Sequence, residues 1–318
     1  MWKNVTPAPE DAILGLTEAF KKDPRFAKIN LGVGVYKDEE GHTPILDSVR
    51  AAERQIFEKE NTKSYMPIAG EKIYGEEVQK MIFGSLCDCS ATIHTPGGTG
   101  ALRVAADLLA RFSSKTIWVS NTTWANHNNI FEAAGLTVKS YPYYNAVTKD
   151  LDADGFFATL EKIPAGDCVL LHACCHNPSG VDLSAAQWKQ VAAIAQKNGW
   201  SALVDFAYQG FGESVEADRV GVEALLDSGI EFLIASSFSK NFGLYRDRTG
   251  ALTAVTATPA DAATAMSHMM AMARVLYSNP PAHGGMIVTT ILRDKELCKL
   301  WRSELDAMRD RIAQARAA

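Results

Sequence analysis

No apolar run in this chain approaches the ~20 residues that a membrane-spanning helix requires; the longest, such as Cys168 to Cys175, fall far short. The opening Met-Trp-Lys-Asn-Val-Thr-Pro lacks the apolar stretch of a secretion signal. Basic residues form no block, and 32 Lys plus Arg against 37 Asp plus Glu leave a net charge of −5. Nucleic acid and membranes are therefore not expected as partners. Cysteine is sparse, six residues in 318. A chain of that size can bury enough core to do without disulfides, so free thiols and a cytoplasmic location are expected. Repeats and low-complexity tracts are missing, and low charge with well-spread aromatics excludes disorder as the main state.

What is present is an alternation of periods. Strand-like runs occur at Ala91–Thr95, Thr116–Ser120, Thr137–Tyr141, Cys168–His172, Ala202–Asp205, Phe232–Ser236 and Ala251–Val255. Helical stretches such as Ala101–Arg111, Ser184–Lys197 and Val220–Leu226 lie between them. This spacing predicts an α/β fold with a mostly parallel seven-stranded sheet flanked by helices. Upstream, an amphipathic segment is expected near Ile13–Phe20, a short strand at Lys28–Leu31, and a helix capped by Asp47 with Val49, Ala52, Ile56 and Phe57 on its buried face. A second helix is expected over Glu71–Phe83. Near the end, Leu297, Leu300, Trp301, Leu305, Met308 and Ile312 follow a helical period, and the last three form a stripe expected to need a partner.

Ligands of parallel sheets bind beyond the carboxyl ends of the strands, and four constellations sit there. Thr95-Pro-Gly-Gly-Thr-Gly-Ala-Leu102 joins a strand to a helix and offers backbone N–H groups and the Thr99 hydroxyl to a phosphate; it is neither a dinucleotide fingerprint nor a P-loop. A plain glycine turn gives the same pattern. Cys175-His-Asn-Pro-Ser-Gly180 presents Asn177 as a donor, or simply an Asn-Pro turn. Leu203-Val-Asp-Phe-Ala-Tyr208 puts Asp205 at the end of an apolar strand with Tyr208 close by. Ala235-Ser-Ser-Phe-Ser-Lys240 carries a lysine among hydroxyls, followed by Arg248; a desolvated lysine forms Schiff bases. Together, a phosphate cradle, an amine nucleophile, a strand-end acid, a phenol and an amide match the needs of pyridoxal phosphate.

The chain resembles the aspartate aminotransferase family, in the subgroup shared by aspartate and aromatic aminotransferases. The likeness rests on Ile29-Asn-Leu-Gly-Val-Gly-Val-Tyr-Lys37, Pro96-Gly-Gly-Thr-Gly-Ala-Leu102, Cys174-Cys-His-Asn-Pro178, Asp205-Phe-Ala-Tyr-Gln-Gly-Phe211, Ser236-Ser-Phe-Ser-Lys-Asn-Phe-Gly-Leu-Tyr245 and Tyr277-Ser-Asn-Pro-Pro-Ala-His-Gly284. It implies fold type I of the pyridoxal-phosphate-dependent transferases, with an arm and part of a small domain over 1–45, a large cofactor domain over 46–295, and a helix over 296–318 leading to the rest of the small domain. It implies that Lys240 holds pyridoxal 5′-phosphate, that Asp205 pairs with its ring nitrogen, and that Tyr208 and Asn177 bind its phenolic oxygen. Trp124 would stack on the ring, and Gly98, Thr99, Ser237, Ser239 and Arg248 would surround the phosphate. Tyr65 would join them across a homodimer interface. His127 and His172 would back Asp205, Gly34 would lie over bound substrate, and Arg274 would reach across the dimer to a distal carboxylate. Gly34 and Arg274, with Trp124 and Asn177, would form the substrate site.

The implied reaction is reversible transamination between L-aspartate and 2-oxoglutarate. Lys37, Thr43 and Asn279 favour this over the aromatic alternative. The family pattern continues past position 318 and there supplies the arginine for the substrate α-carboxylate, so a catalytically incomplete fragment is the other expectation. His172, Cys174, Cys175 and His176 also offer donors to zinc, since in a strand 172, 174 and 176 share a face; the Asn177 and Lys240 motifs account for the region better, and no metal is expected.

Overall fold

The computed structural model describes residues 2–7, 14–29, 32 and 34–317. Residues 1–43 and 44–318 form two compact units. In the first, helix α1 spans Leu14–Lys22, and the Lys28 ammonium closes the turn after it by donating to the carbonyls of Phe20 and Asp23 at 2.6 and 2.7 Å. Lys28 and Ile29 are not in a strand. Ile13, Asn30 and Leu31, which the expected helix and strand would also include, lie outside the described residues.

The second unit begins with α2 (Asp47–Lys59) and α3 (Lys72–Phe83). Then follow β1 (Ser90–Pro96), α4 (Gly97–Phe112), β2 (Thr116–Asn121), α5 (Asn126–Ala133) and β3 (Thr137–Pro142). A small hairpin of β4 (Tyr144–Asn145) and β5 (Asp150–Leu151) leads to α6 (Ala153–Leu160), β6 (Cys168–His172), α7 (Ala185–Asn198) and β7 (Ser201–Phe206). The chain continues through α8 (Val220–Asp227), β8 (Phe232–Ser237), β9 (Thr249–Val255), α9 (Pro259–Leu276), α10 (Ala282–Arg293) and α11 (Lys295–Ala317).

Seven strands form one sheet in the order β1-β9-β8-β7-β6-β2-β3. Only β9 runs against its neighbours; the pairs β8–β7, β7–β6, β6–β2 and β2–β3 are parallel. Six strands therefore end at the same edge. Both faces are covered. Ile93, Ile117, Val119, Leu170, Leu203 and Leu252 join α4, α5 and α9 in one buried cluster. The alternate residues, Val169, Leu171, Val204 and Ile234, are buried as well and, by the strand period of two, face the other way. No helix of the described residues is long and apolar enough to cross a membrane.

Two local expectations give way to long-range contacts. Asp47 does not cap α2: the preceding residue, Leu46, holds the cap position without a side-chain bond. Glu304 of α11 supplies the missing acceptor, taking the Asp47 and Ser48 N–H groups at 2.5 and 3.3 Å, where the helix dipole favours a carboxylate. Phe57 is not on the buried face; it is 86% exposed, while Val49, Ala52 and Ile56 are buried.

The stripe of α11 has its partner within the chain. Trp301, Leu305 and Met308 are buried, the Trp301 indole stacks on Phe242 with centroids 4.4 Å apart, and its N–H donates to the Asn241 carbonyl at 2.8 Å. Leu305 fills the space above Gly210, where a Cβ would meet it at 2.5 Å. The expected exposed patch reduces to Ile312, which is half-buried. Trp301→Ala should lower unfolding free energy by about 3–5 kcal/mol, the usual cost of emptying an aromatic site. Urea unfolding checks this, and a loss under about 1 kcal/mol, the range of a typical single hydrogen bond, would show that α11 is only loosely docked.

Candidate active site

The shared strand edge gathers the polar residues. Parallel register sets His172, Asp205 and Ala235 side by side on β6, β7 and β8, so the first two side chains share a face. Asp205 Oδ2 accepts from His127 Nε2 at 3.1 Å. His127 comes from α5, beyond β2, and its other nitrogen meets Thr123 Oγ1 at 2.8 Å. Thr123 also meets His172 Nε2 at 3.4 Å, and His172 Nδ1 accepts the Asn177 backbone N–H at 3.1 Å.

This chain has one polarity. The amide of Asn177 can only donate, and the carboxylate of Asp205 can only accept. His172 therefore carries its proton on Nε2, Thr123 donates to His127 Nδ1, and His127 donates from Nε2 to Asp205. Burial would raise the Asp205 pKa. The His127 hydrogen bond and the positive groups nearby, Lys240 among them, outweigh it and hold the carboxyl below its ordinary value. Burial keeps His172 well below the ordinary imidazole range. The ligand atoms of His127, His172 and Asp205 lie within 4.8 Å of one another, yet each already has a hydrogen-bond partner, which accounts for the grouping without a metal.

Lys240 lies three residues past β8, its ammonium 4.7 Å from the centre of the Tyr208 ring. Burial, reinforced by Arg248, lowers its pKa, and Asp205 only partly opposes this. Burial and the charge of Asp205 push the Tyr208 phenol up to about 12. A depressed amine beside a protonated phenol and an ionised acid is a nucleophile with a proton donor in reach.

The anion end is built by close approach. β1 passes into α4 at Pro96, which offers no side-chain cap, so the first N–H groups of α4 are available to an anion. Gly97 has φ +70, and a Cβ there would lie 2.5 Å from the Arg248 guanidinium. A Cβ on Gly250 would lie 2.4 Å from the Gly97 carbonyl carbon, and one on Gly98 3.0 Å from Ser237 Cβ. Glycine at these positions lets β8, β9 and the start of α4 converge. Arg248 is held by bonds to Ser239 Oγ at 3.4 Å and the Tyr245 carbonyl at 3.0 Å. Thr99 is in the first turn of α4.

Other expected residues stand at different removes. Trp124 packs edge-on to His127, centroids 5.2 Å apart. Tyr65 is 93% exposed. Arg274 is exposed in the last turn of α9, bonded to Ser278 Oγ; neither is tied to the Lys240 cluster by a hydrogen bond. Gly34 belongs to the first unit. Thr123 and Asp182 were not expected. Thr123 could have been found from its i,i+4 spacing to His127; Asp182, which accepts from the backbone of Cys175 and His176 at 2.7 and 2.8 Å, gives no sequence signal. β6 ends at His172, as expected, and Cys175 has φ +49, so 172, 174 and 176 do not share a strand face.

A profile of the family described as aminotransferase class I and II matches residues 27–318. The chain is 48% identical to an aspartate aminotransferase of Escherichia coli (strain K12), over 99% of this chain and 81% of that protein. It is 47% identical to an aromatic-amino-acid aminotransferase of Pseudomonas aeruginosa, over 98% of this chain and 79% of that protein. A solved structure of an aromatic-amino-acid aminotransferase from Burkholderia pseudomallei, covalently bound to pyridoxal phosphate, matches with a TM-score of 0.95 at 43% identity, covering 98% of this chain and 80% of that one.

The Asp205 reading has a pH signature. An acid whose folded pKa lies below its ordinary 3.8 contributes stability above that value, and the contribution is lost as pH falls through the folded pKa. His127→Phe leaves burial unopposed by its hydrogen bond. The variant should be less stable by about 1–3 kcal/mol at pH 7, with the deficit shrinking below about pH 4 as the carboxyl protonates in both states. Urea unfolding at both pH values is the measurement; a pH-independent deficit would show that His127 acts by packing alone.

Proposed function

The chain belongs to the aminotransferase class I and II family, and we propose that it exchanges amino groups between L-aspartate and 2-oxoglutarate, giving oxaloacetate and L-glutamate. The observation that carries this is the buried Lys240 amine over Tyr208, flanked by the ionised Asp205 and the Arg248–Gly97 anion cradle. Pyridoxal 5′-phosphate fits these residues. Lys240 would hold it covalently, Asp205 would pair with its ring nitrogen, and Trp124 would stack on the ring. Gly98, Thr99, Ser237, Ser239 and Arg248 would take its phosphate, with Tyr65 across a homodimer interface. When bound, the cofactor supplies an electron sink for the pair left on the substrate Cα.

Each residue then has a definite task. Asp205, kept anionic by His127, holds a proton on the ring nitrogen. Tyr208 and Asn177 donate to the phenolic oxygen. The Lys240 amine, whose pKa burial lowers, would take the proton from the substrate Cα and then serve as the acid that gives it back. The guanidinium of Arg274, acting across the dimer, pairs with the distal carboxylate of aspartate, a bidentate task for which lysine is a poor substitute. Gly34 lies in the segment expected over substrate, and the small-domain assignments of 1–45 and 296–318 belong to the same reading. Six unpaired cysteines support a reducing compartment, and we place the protein in the cytoplasm.

A second reading is an aromatic-amino-acid aminotransferase, favoured by the near-equal identity to the Pseudomonas aeruginosa relative. Arg274→Ala separates the two. Losing a desolvated charge pair costs roughly 2–5 kcal/mol, so kcat/KM for aspartate should fall about 30-fold or more by the tenfold-per-1.4 kcal/mol rule, with little change for phenylalanine. Equal losses on both substrates would show that Arg274 is structural. For the cofactor, borohydride reduction of the loaded protein followed by peptide mapping should label Lys240; a label on another lysine with Lys240 free would overturn the assignment.

A further inference from the structure

We infer that Tyr74, on α3, is a positioning residue for the anion cradle: its one buried side chain sets the spacing of the three chain segments that would hold the cofactor phosphate. The inference rests on the cofactor reading proposed above. The segments are the passage from β1 into α4, the end of β8 with Ser237 and Ser239, and the start of β9 after Arg248. They lie far apart in the sequence and meet only in the fold.

Tyr74 touches each of them. Its hydroxyl donates to the Gly250 carbonyl at 2.7 Å, two residues on from Arg248. Its ring meets Phe238 edge-on, centroids 6.0 Å apart, and Phe238 stands between Ser237 and Ser239. The same ring packs on the His94 imidazole at 4.2 Å, three residues before Gly97. Tyr74 is buried, and burial pushes its phenol well above the ordinary range, so the hydroxyl remains a donor.

The approach of α3 is prepared locally. Gly75 lets the helix lie on β1, since a Cβ there would sit 3.4 Å from the Thr92 carbonyl oxygen. The loop before α3 is tied to the same strand by the His94 N–H, which donates to the Ala69 carbonyl at 2.8 Å. The His94 ring is wedged in place: a Cβ on Gly70 would lie 2.5 Å from its Cβ, and one on Gly285 2.6 Å from its Cε1. Neither ring nitrogen has a hydrogen-bond partner among the described residues. His94 is thus a spacer held by packing, and Tyr74 supplies the directional bond.

That bond bears on anion binding through the backbone. β9 and α4 are in direct contact at the cradle, where a Cβ on Gly250 would lie 2.4 Å from the Gly97 carbonyl carbon. A shift of β9 therefore moves the Arg248 guanidinium relative to the first N–H groups of α4. A phosphate must meet these donors together, and a binding constellation tolerates only about 0.5 Å of misplacement.

The test compares two ligands that differ only in the phosphate. Pyridoxal 5′-phosphate and pyridoxal are titrated into the cofactor-free full chain and followed by tryptophan fluorescence. Tyr74→Phe keeps the ring and removes the hydroxyl. It should weaken pyridoxal 5′-phosphate roughly tenfold, about the worth of one hydrogen bond to a charged group, and leave pyridoxal unchanged. Tyr141→Phe is the control. It removes another buried phenol bond to a strand carbonyl, that of Leu170 at 2.6 Å, towards the opposite edge of the sheet. It should lower the melting temperature without altering the preference for the phosphorylated ligand. If Tyr74→Phe fails to fold, Phe238→Leu, which gives up the edge contact and keeps an apolar side chain, is measured with the same expectation. An unchanged preference in Tyr74→Phe, or an equal loss in Tyr141→Phe, overturns the inference and leaves the cofactor reading standing. A wild-type chain that binds pyridoxal 5′-phosphate no better than pyridoxal refutes the cradle, and this inference with it.

Discussion

The hydrogen bond from His127 to Asp205 favours the ionised carboxylate against the opposing effect of burial. Its dependence on the rest of the chain is easily traced. His127 can donate from Nε2 because Thr123 satisfies Nδ1, and Thr123 is oriented in turn by His172, which is fixed by the amide of Asn177. A backbone N–H in the loop after β6 thus sets the tautomer of a histidine on α5. Each pKa unit is about 1.4 kcal/mol of difference between protonation states, so a relay that moves an acid by even a unit or two is comparable with a typical mutational change in stability.

Opposite charge is arranged at the other end of the same edge. The N-terminus of α4, which has no side-chain cap, and the Arg248 guanidinium present positive potential, and Lys240 interacts with the charges of both Arg248 and Asp205. Arg248 lowers the lysine pKa and Asp205 raises it, but burial is the largest influence and the amine stays depressed. The glycines enforce this geometry, since a side chain at Gly97 or Gly250 would displace the guanidinium or separate the strands.

The strands were legible because each carries an apolar run bounded by polar turns; all seven expected runs lie in the sheet, with ends extended by at most two residues. Asp205 and Lys240 were legible for a related reason: a charge just after an apolar run stands out against its surroundings. What could not be read depends on distant partners. Asp47 looks like a helix cap, but Glu304, 257 residues away, takes its N–H. Phe57 satisfies the period of α2, yet no described residue covers it. The turn at Cys175 is held by Asp182, seven residues on, and no local pattern announces it. Local pattern specifies the element; a cap, a bend or an exposed face is decided by what folds against it.

The same principle extends to Lys240 through its neighbour. The Asn241 side chain donates to the Gln209 carbonyl at 3.1 Å, and Gln209 donates to the carbonyls of Met81 and Val215 at 2.7 and 2.9 Å. The Asn241 carbonyl accepts from Trp301. The residue beside the amine is therefore bonded from the loop after β7 and from α11 at once, and that loop is itself bonded to α3 through Gln209. All these groups are buried, so breaking one leaves an unsatisfied partner at a cost of roughly 1–3 kcal/mol. Such a mount holds the backbone beneath a mobile side chain still, and a proton transfer needs its donor and acceptor kept within hydrogen-bond reach. Because α11 closes this mount, the last helix of the chain bears on the position of the amine through packing and one indole hydrogen bond, without reaching the site itself.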